Sequence, residues 1–289
     1  MMKTKKHFIA QVISGLSFLL LFCNFAQAET TNCTVITYLP YTISTPGIYC
    51  LNANLETDMT TGNAITINVN NVVIDLNSRK LGGGSAGAGT LATGIYAYQR
   101  KNITIKNGTV RGFYRGIRLH DESPFTTSQG HVVEDVRADM NTYIGILAYG
   151  RGNIVRNNQV VDTGGSTHSA NPKGIYAVGP GARVINNDVY ETLAQTGGTA
   201  YGIHVNVGDA SVVVDNRVGN QALDAELSQG ILIESSAGVT VKDNTVTSMD
   251  YGINYATGGT GLYMNNFVAG CPAAFTNGTA AGSTNYSIP

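Results

Sequence analysis

The stretch KGIYAVGPGARVINNDVYE, residues 173–191, contains a pattern that recurs along the chain and predicts its architecture. It opens on a Gly-Ile dipeptide, alternates along a short strand-like run, bends at Gly-Pro-Gly and closes a second apolar run with two asparagines. The dipeptide recurs 22 to 29 residues apart, at Gly94, Gly116, Gly145, Gly174, Gly202, Gly230 and Gly252. An asparagine lies 13 or 14 positions after six of these glycines, and Asp135 takes its place in the copy that begins at Gly116. Repeats of this period predict a solenoid.

Each copy consists of short runs rich in β-branched residues, such as Ile175-x-Ala177 and the run that begins at Val184. Gly and Asn separate the runs, and no copy has apolar residues at the three-four spacing of an amphipathic helix. These features favour a parallel β-helix, in which each copy forms one coil and each strand pairs with its equivalent in the next coil. The isoleucines are then expected to stack inside the solenoid. The asparagines are expected at turns, with left-handed backbone geometry and with amides bonded from coil to coil.

Two segments near the start carry a family resemblance: CTVITYLPYTISTPGIYCLNANLETD (33–58) and NAITINVNNVVIDLNSRKLGG (63–83). They resemble the first coils of right-handed parallel β-helix proteins of the pectate-lyase-like superfamily, and the later repeats extend the resemblance over residues 33–275. It implies an all-β fold, a single-stranded right-handed parallel β-helix of about eight or nine coils with N- and C-terminal caps. It does not choose an activity, because this scaffold carries lyases, hydrolases, epimerases, adhesins and accessory proteins.

The first 28 residues have the order of a secretory signal peptide. Three lysines precede a largely apolar run, 8–25, and Ala26-Gln27-Ala28 offers a small-x-small cleavage site. No later apolar run is long enough to cross a bilayer, so we expect a secreted or periplasmic protein without a transmembrane anchor. The predicted domains are the signal peptide at 1–28, an N-terminal cap at 29–60, the β-helix at 61–270 and a C-terminal cap or tail at 271–289.

Charge and cysteine content narrow the range of partners. The formal net charge of the chain is −1, and loss of the three lysines of the signal peptide takes it to −4. A weakly acidic protein lacks the basic stripe that nucleic acid requires, so no nucleic acid is expected. In an oxidising compartment Cys33 and Cys50 are expected to form a disulfide, and Cys271 is expected to be a small buried residue. We expect a monomer.

Alternation along the Gly-Ile strands predicts one face where polar and aromatic side chains collect. With the isoleucine inward, the next residue and the one two further on point outward. The first outward column is Tyr96, Arg118, Leu147, Tyr176, His204, Leu232 and Asn254, and the second is Tyr98, His120, Tyr149, Val178, Asn206, Glu234 and Ala256. Tyrosine is favoured on any exposed β surface, but its ring also suits the face of a sugar. We therefore predict a polysaccharide or cell-surface glycan as partner, bound by Tyr96, Tyr98, Tyr176, His204, Asn206 and Glu234.

Four insertions are placed to border this face. Three of them precede Gly-Ile strands, at 163–172, 192–200 and 219–228, whereas 120–129 leaves from the opposite end of its strand. Equivalent insertions in neighbouring coils often form a wall beside a binding face. The sequence therefore predicts a groove along the solenoid axis, which suits a linear polymer.

The catalytic hypothesis concerns Arg118, His120 and Tyr149, which lie in two adjacent coils. In uronate lyases and C5-epimerases a cation neutralises the sugar carboxylate, a base removes the C5 proton and an acid donates a proton. Arg118 is suited to the first role, His120 to the second and Tyr149 to the third. The same sequence is compatible with a non-catalytic adhesin or periplasmic accessory module, whose coils act as a rigid spacer.

The stretch YRGIRLHDE, 114–122, resembles the Asp-Pro-His-Asp/Glu signature of mannuronan C5-epimerases. The resemblance implies that His120 is the histidine of the signature and Asp121 its final acid. Arg118 and Leu119 stand where that family has aspartate and proline. The Asn-Thr-Asp, paired-Asp, Gly-His-Gly and Arg-Ile-Lys motifs of the polygalacturonase-like hydrolases are absent from the sequence.

No cofactor is expected, and no cysteine spacing suggests zinc. The alternative is calcium at Asp215 and Asp243, with Asn186 in line, because carboxylate and amide oxygens suit this ion. The other interpretation of these three residues is a row of solvated turns.

Overall fold

The computed structural model describes residues 32–282 and 284–289, and the predicted signal peptide lies outside these ranges. The described chain consists of strands and irregular segments, with one 3-10 helix at Gly84–Ala86. All strand pairings that build the two sheets are parallel. The smaller sheet has ten strands: Tyr41–Ile43, Asn63–Ile67, Thr93–Tyr98, Arg115–His120, Ile144–Tyr149, Lys173–Val178, Thr199–Asn206, Leu227–Glu234, Tyr251–Ala256 and Ala273–Thr276. The larger sheet has nineteen: Thr34–Ile36, Gly47–Leu51, Leu55–Glu56, Val72–Asp75, Lys80–Gly82, Ile103–Arg111, Val132–Asp139, Ile154–Arg156, Gln159–Gly164, Arg183–Ile185, Asp188–Leu193, Val212–Val214, Arg217–Gly219, Val239–Lys242, Thr245–Thr247, Gly261–Met264, Phe267–Ala269, Thr279–Ala280 and Tyr286–Ile288.

The Gly-Ile strands lie side by side in the smaller sheet. The seven isoleucines of the dipeptides are register partners in consecutive strands, and none is more than 1 % exposed. Each isoleucine packs against its equivalents about 4.8 Å away on either side, where dispersion contacts add up along the stack. The predicted isoleucine ladder inside a solenoid is therefore confirmed.

The glycine of each dipeptide is required by close packing between the sheets. A Cβ added at Gly174 would lie 2.5 Å from Cγ1 of Val189 and 2.7 Å from the carbonyl oxygen of Gly202. Both distances are shorter than carbon and oxygen atoms tolerate in a packed interior. The repeat of Gly before Ile therefore reflects the narrow cross-section of the solenoid.

The smaller sheet has ten rungs, one or two more than the eight or nine coils expected. The strands at its two ends, Tyr41–Ile43 and Ala273–Thr276, pair in parallel with their neighbours. Neither contains the Gly-Ile dipeptide, which is why the sequence repeat does not reveal them. Nine spacings of about 4.8 Å make the solenoid about 43 Å long.

The asparagine column divides into two adjacent positions, where the sequence predicts a single residue that serves both roles. Five of the predicted asparagines form a buried ladder in which each side-chain amide donates to the next side-chain oxygen: Asn158, Asn187, Asn216, Asn244 and Asn266. The left-handed backbone falls on the preceding residue of each pair: Asn157, Asn186, Asp215, Asp243 and Asn265. In the first two copies Asn107 and Asp135 themselves hold the left-handed position. In these five pairs, one residue therefore points its side chain inward and bonds along the stack, and the residue before it adopts the left-handed backbone of the turn.

A disulfide joins Cys33 to Cys50, with 5.9 Å between their Cα atoms, and confirms the predicted pair. Cys271 is free and 5 % exposed, as expected for a small buried residue. Strand pairing continues across both predicted domain boundaries, because Leu55–Glu56 pairs with Lys80–Gly82 and Ala273–Thr276 completes the smaller sheet. The division into caps and β-helix stays a prediction.

Replacing Asn187 tests the ladder. Its Oδ1 accepts from the main-chain and side-chain amides of Asn158 at 3.0 Å, and its Nδ2 donates to Val155 and Asn216 at 2.9 Å. Asn187→Ala leaves several of these buried groups without partners, so we expect a loss of about 2–4 kcal/mol in the free energy of unfolding, measured in urea. Asn186→Gly is the matched control, because glycine keeps the left-handed turn and removes only an exposed amide bond. Equal losses in the two variants would contradict a special role for the ladder.

Candidate functional site

The outer surface of the smaller sheet, termed the Gly-Ile face, carries the two predicted columns in register. The first column pairs rung by rung from Tyr96 to Asn254. In the second, Tyr98 pairs with His120, and the column continues in register from Tyr149 to Ala256. Several members are nevertheless buried under neighbouring side chains: Leu147, Val178, His204, Leu232 and Asn254. The accessible part of the face is therefore narrower than the columns alone suggest.

A continuous row of rings crosses the Gly-Ile face over five adjacent rungs. The ring centroids of Tyr98 and His120 are 5.6 Å apart, and those of His120 and Tyr149 are 5.1 Å apart. Tyr149 is 5.7 Å from Tyr176, which stacks on His204 at 4.7 Å. Four rung spacings correspond to about 19 Å along the solenoid axis. The row brings together residues from both columns and provides an extended aromatic surface.

The predicted trio of Arg118, His120 and Tyr149 lies near one end of this row. The guanidinium carbon of Arg118 is 5.2 Å from the ring centroid of Tyr96. Burial lowers the pKa of His120, and the positive charge of Arg118 lowers it further. Burial raises the pKa of the Tyr149 hydroxyl, against a smaller opposing effect of Arg118. At neutral pH a neutral imidazole and a protonated phenol thus lie side by side, next to a guanidinium.

A third outward column, two residues before each isoleucine, includes Arg115 and Lys173 and was not among the predicted site residues. The same alternation that defines the other two columns also predicts this one. Lys173 is 9 % exposed, and its Nζ lies 4.8, 5.2 and 5.7 Å from the ring centroids of Tyr201, Tyr176 and Tyr143. Burial lowers the pKa of Lys173 to about 8. The Gly-Ile face therefore holds an amine that is largely but not fully protonated at neutral pH.

His204 and Glu234 form a hydrogen-bonded pair beside this amine. His204 Nε2 lies 3.1 Å from Glu234 Oε2, which also accepts from the Asn206 amide at 3.2 Å. The His204 ring is 5 % exposed and stacks between Tyr176 and Tyr201. Its Nδ1 is buried and meets no hydrogen-bond partner within the described ranges. Burial lowers the pKa of His204, so the neutral ring donates its Nε2 proton to Glu234, and this bond lowers the pKa of the carboxyl.

The three insertions that precede Gly-Ile strands stack into one wall, as predicted from their spacing. Main-chain hydrogen bonds join 163–172 to the loop at 83–92 on one side and to 192–200 on the other. The side chain of Asp224 accepts the N–H of Ala194 at 2.9 Å and so connects 219–228 to the wall. The loop at 83–92 was not among the predicted insertions, because it precedes the first Gly-Ile copy.

The insertion at the opposite end of the strands, 120–129, is organised by the buried side chain of Asp121. Its two carboxylate oxygens accept main-chain N–H groups at 2.8 to 3.1 Å from Glu122, Thr127 and Ser128. Asp121 is 1 % exposed. The residue that resembles the final acid of the epimerase signature therefore holds a loop in place, and that loop sets Phe125 against Tyr149 at 5.8 Å.

Ser128 and His131 have the spacing of a nucleophile and its base but not the chemistry. Ser128 Oγ lies 2.6 Å from His131 Nε2, while His131 Nδ1 accepts the N–H of Ile103 at 3.2 Å. An imidazole that accepts at Nδ1 carries its proton on Nε2, so it donates to the serine and cannot take the serine proton. Both side chains are 1 % exposed. The pair is a structural support beneath the insertion.

In the part of the chain that the structure describes, no group of three or more His, Cys, Asp and Glu residues is arranged to hold a metal ion. Asp215 and Asp243, the calcium candidates, occupy left-handed turn positions beside the asparagine ladder. Within the same described residues, no helix has the length and apolar character needed to cross a membrane.

Residues 93–269 match the family described as "Right handed beta helix region". This match covers more than half of the chain, so the protein belongs to the right-handed β-helix family, and the predicted fold is confirmed. No curated protein has a significantly similar sequence.

Solved structures share the architecture at low sequence identity. The enzymatically active domain of tailspike protein 2 from bacteriophage CBA120 is 15 % identical with a TM-score of 0.54, over 88 % of this chain and 40 % of the tailspike chain. The A-module of the mannuronan C-5 epimerase AlgE6 of Azotobacter vinelandii is 14 % identical with a TM-score of 0.39, over 84 % of this chain and 81 % of its own. The alginate lyase of Paenibacillus sp. FPU-7 is 15 % identical with a TM-score of 0.37, over 83 % and 94 %. The likeness to the tailspike domain is one of fold, and the chain spans about two fifths of that domain.

The buried His131 makes the protein sensitive to acid. Burial lowers the pKa of His131 to about 4, below the value of 6.5 for a free histidine. The unfolded state therefore binds the proton more readily as the pH falls from 6.5 to 4, and the free energy of unfolding should decrease by about 3 kcal/mol over this window. Urea unfolding at pH 7 and 4 should show that His131→Gln lacks this part of the pH dependence. His168→Ala, which alters an exposed histidine, should keep it. An unchanged pH dependence in His131→Gln would contradict the buried neutral ring.

Proposed function

We propose that the Gly-Ile face binds a polysaccharide along the solenoid axis and that the protein acts in the secreted or periplasmic space, as a monomer. The observation that carries this proposal is the row of rings from Tyr98 to His204, in which no neighbouring centroids are more than 5.7 Å apart. Isolated tyrosines on a β surface need no explanation beyond propensity. A row that draws on two different columns of the repeat is more than propensity supplies.

The wall of stacked insertions supports the same proposal. It stands at one end of the Gly-Ile strands, and 120–129 with Phe125 stands at the other. A linear polymer placed between them would lie across consecutive rungs and meet the rings of Tyr98, His120, Tyr149 and Tyr176, whereas His204 is buried behind Tyr176 and Tyr201. The similarity to the tailspike domain supports the fold and leaves the ligand to be decided by the face itself.

Arg118, His120 and Tyr149 suit a reaction at a uronate residue of the bound polymer. Arg118 neutralises the carboxylate and His120 accepts the C5 proton. In a lyase the C4–O bond then breaks, a C4–C5 double bond forms, and Tyr149 gives its proton to the leaving oxygen. In an epimerase Tyr149 instead returns a proton to C5 from the opposite side. The lowered pKa of His120 and the raised pKa of Tyr149 keep base and acid in the required states at neutral pH.

The competing proposal is a non-catalytic adhesin or accessory module that holds a glycan without changing it. The observation that favours it is Asp121, because the residue that resembles the signature acid is spent on loop structure. Binding and catalysis must therefore be tested separately.

The binding proposal predicts a loss of affinity when the row of rings is interrupted. Alginate and pectate oligomers, with other glycans as a panel, are titrated into the protein by calorimetry. Tyr149→Ala and Tyr176→Ala should each weaken binding by about 1 kcal/mol, roughly fivefold, because each removes one aromatic contact. Tyr190→Ala is the control, since Tyr190 is a 39 % exposed tyrosine on a strand of the larger sheet. Absence of binding across the panel, or equal effects of all three substitutions, would remove the proposal.

The catalytic proposal predicts a difference between binding and turnover. His120→Ala and Arg118→Ala should reduce formation of unsaturated or C5-inverted product by about 10²–10⁴-fold and retain the fold. Because only neutral His120 can act as base, and its pKa is lowered, wild-type activity should persist below pH 6.5 and fall only as more acidic pH protonates the ring. Formation of unsaturated product is measured by ultraviolet absorbance, and formation of C5-inverted product by proton NMR. Glycan binding without any product, in wild type as in the variants, supports the adhesin instead.

A further inference from the structure

Lys173 is a buried cation, and no carboxylate of the described residues forms an ion pair with it. The one described hydrogen bond of its Nζ, at 3.5 Å, is to the carbonyl oxygen of Asn171. The charge of Glu234 acts on it, yet no ion pair joins them, and the Glu234 carboxylate is held by His204 and Asn206. A buried ammonium loses hydration that such contacts replace only in part. An anion brought by a ligand would complete its surroundings.

In the larger sheet, by contrast with Lys173, most lysines and arginines form ion pairs. Seven of its lysines and arginines pair with carboxylates: Lys80, Lys106, Arg111, Arg137, Arg156, Arg217 and Lys242. On the Gly-Ile face, by contrast, no carboxylate of the described residues pairs with Arg115, Arg118 or Lys173. Three cations that pair with no carboxylate of the described residues thus lie on the face that carries the row of rings, which favours an anionic ligand there.

The walls around Lys173 suit a sugar rather than a small inorganic anion. Tyr143, Tyr176 and Tyr201 place three half-buried rings within 5.7 Å of Nζ. The amide of Asn206 lies next to Glu234 and offers polar atoms to hydroxyl groups. A ring that presents one carboxylate to the amine could rest its apolar side on a tyrosine at the same time.

We propose that Lys173, together with Tyr176, Tyr201 and Asn206, forms a subsite for the carboxylate of one uronate residue, separate from the trio around His120. This proposal rests on the polysaccharide function and specifies its substrate class as acidic. Arg118 and Tyr176 are two rungs apart, about 10 Å, so the subsite holds a different residue of the polymer from the one at which chemistry would occur. Its role is to position the chain.

A carboxylate bound at Nζ stabilises the charged form of the amine and therefore couples binding to proton uptake. The other titratable groups that face Lys173 are Glu234, His204 and the phenols of Tyr143, Tyr176 and Tyr201. Glu234 and His204 keep their protonation states between pH 7 and 9, because the pKa of each is lowered, and burial raises the pKa of the Tyr176 and Tyr201 hydroxyls, which stay protonated. With the pKa of free Lys173 at about 8, affinity for a uronate should fall about tenfold from pH 7 to pH 9. At pH 8 about half a proton is taken up for each molecule bound.

The experiment is calorimetry at pH 8 in two buffers that differ in ionisation enthalpy, which counts protons directly. The probes are D-galacturonate, oligogalacturonate, alginate oligomers and the carboxyl-reduced form of each oligomer. Lys173→Met keeps the length of the side chain without its charge. It should weaken binding of acidic probes by about tenfold or more, abolish proton uptake and leave affinity for carboxyl-reduced oligomers unchanged. The control is Lys242→Met, because Lys242 is an exposed, paired lysine of the larger sheet and its replacement should change none of these quantities.

The outcomes separate this subsite from the polysaccharide function. If acidic oligomers bind wild type and Lys173→Met equally and without proton uptake, the subsite is overturned and the polysaccharide function stands. If galacturonate binds with proton uptake, this binding is lost in Lys173→Met and no oligomer binds, the subsite is supported and the polysaccharide function is contradicted. If neither galacturonate nor any acidic oligomer binds, the subsite is overturned. Lys173→Met should unfold at the same or a higher urea concentration than wild type, because a buried ammonium is replaced by an apolar side chain, so lost binding reflects the missing charge rather than a damaged fold.

Discussion

The in-register pairing of parallel strands from coil to coil sets where every side chain of this protein lies. Each main chain bonds to its equivalents above and below, so every side chain lies over the residue at the same position of the next coil. Positions inside the solenoid must then repeat, because the same space recurs at every rung. Ile175 and its equivalents fill it, Gly174 leaves room for Val189, and Asn187 bonds to the amide on either side. Repetition in the sequence is the consequence of this geometry.

On the outer surface of the solenoid, the same pairing does not require residues in neighbouring coils to be alike. The columns of the Gly-Ile face bring unlike residues into contact, so chemistry arises where coils differ from one another. Tyr176, His204 and Glu234 come from three successive rungs and meet through stacking and a hydrogen bond. Burial then sets their charges: it lowers the pKa of His204 and of Lys173 beside it. A repeating scaffold thus builds a local site without any special turn or domain junction.

Much of this face could be read from spacing alone, and parts of it could not. Alternation predicts that Tyr176 and His204 are adjacent and that His120 lies near Tyr149, since register transmits from one dipeptide to the next. The same alternation predicts that Lys173 lies on the outer face. It does not predict that Lys173 is buried, because this depends on rings contributed by three different coils. Nor does spacing show that Asp121 binds three main-chain N–H groups of its own loop. That use depends on how 120–129 folds back, and no periodic pattern governs an insertion.

The solenoid, the inward isoleucines, the order of the outer columns and the Cys33–Cys50 pair could all be predicted before the structure was known, because each follows from a local period or a short spacing. The burial and the contacts of those columns depend on the tertiary structure. It divided the asparagine role between neighbours such as Asn186 and Asn187, covered His204 with two tyrosines and placed three tyrosine rings around the amine of Lys173. The physical reason is that strand register is a property of each residue's position in the repeat, whereas burial and charge pairing depend on side chains that meet across several coils.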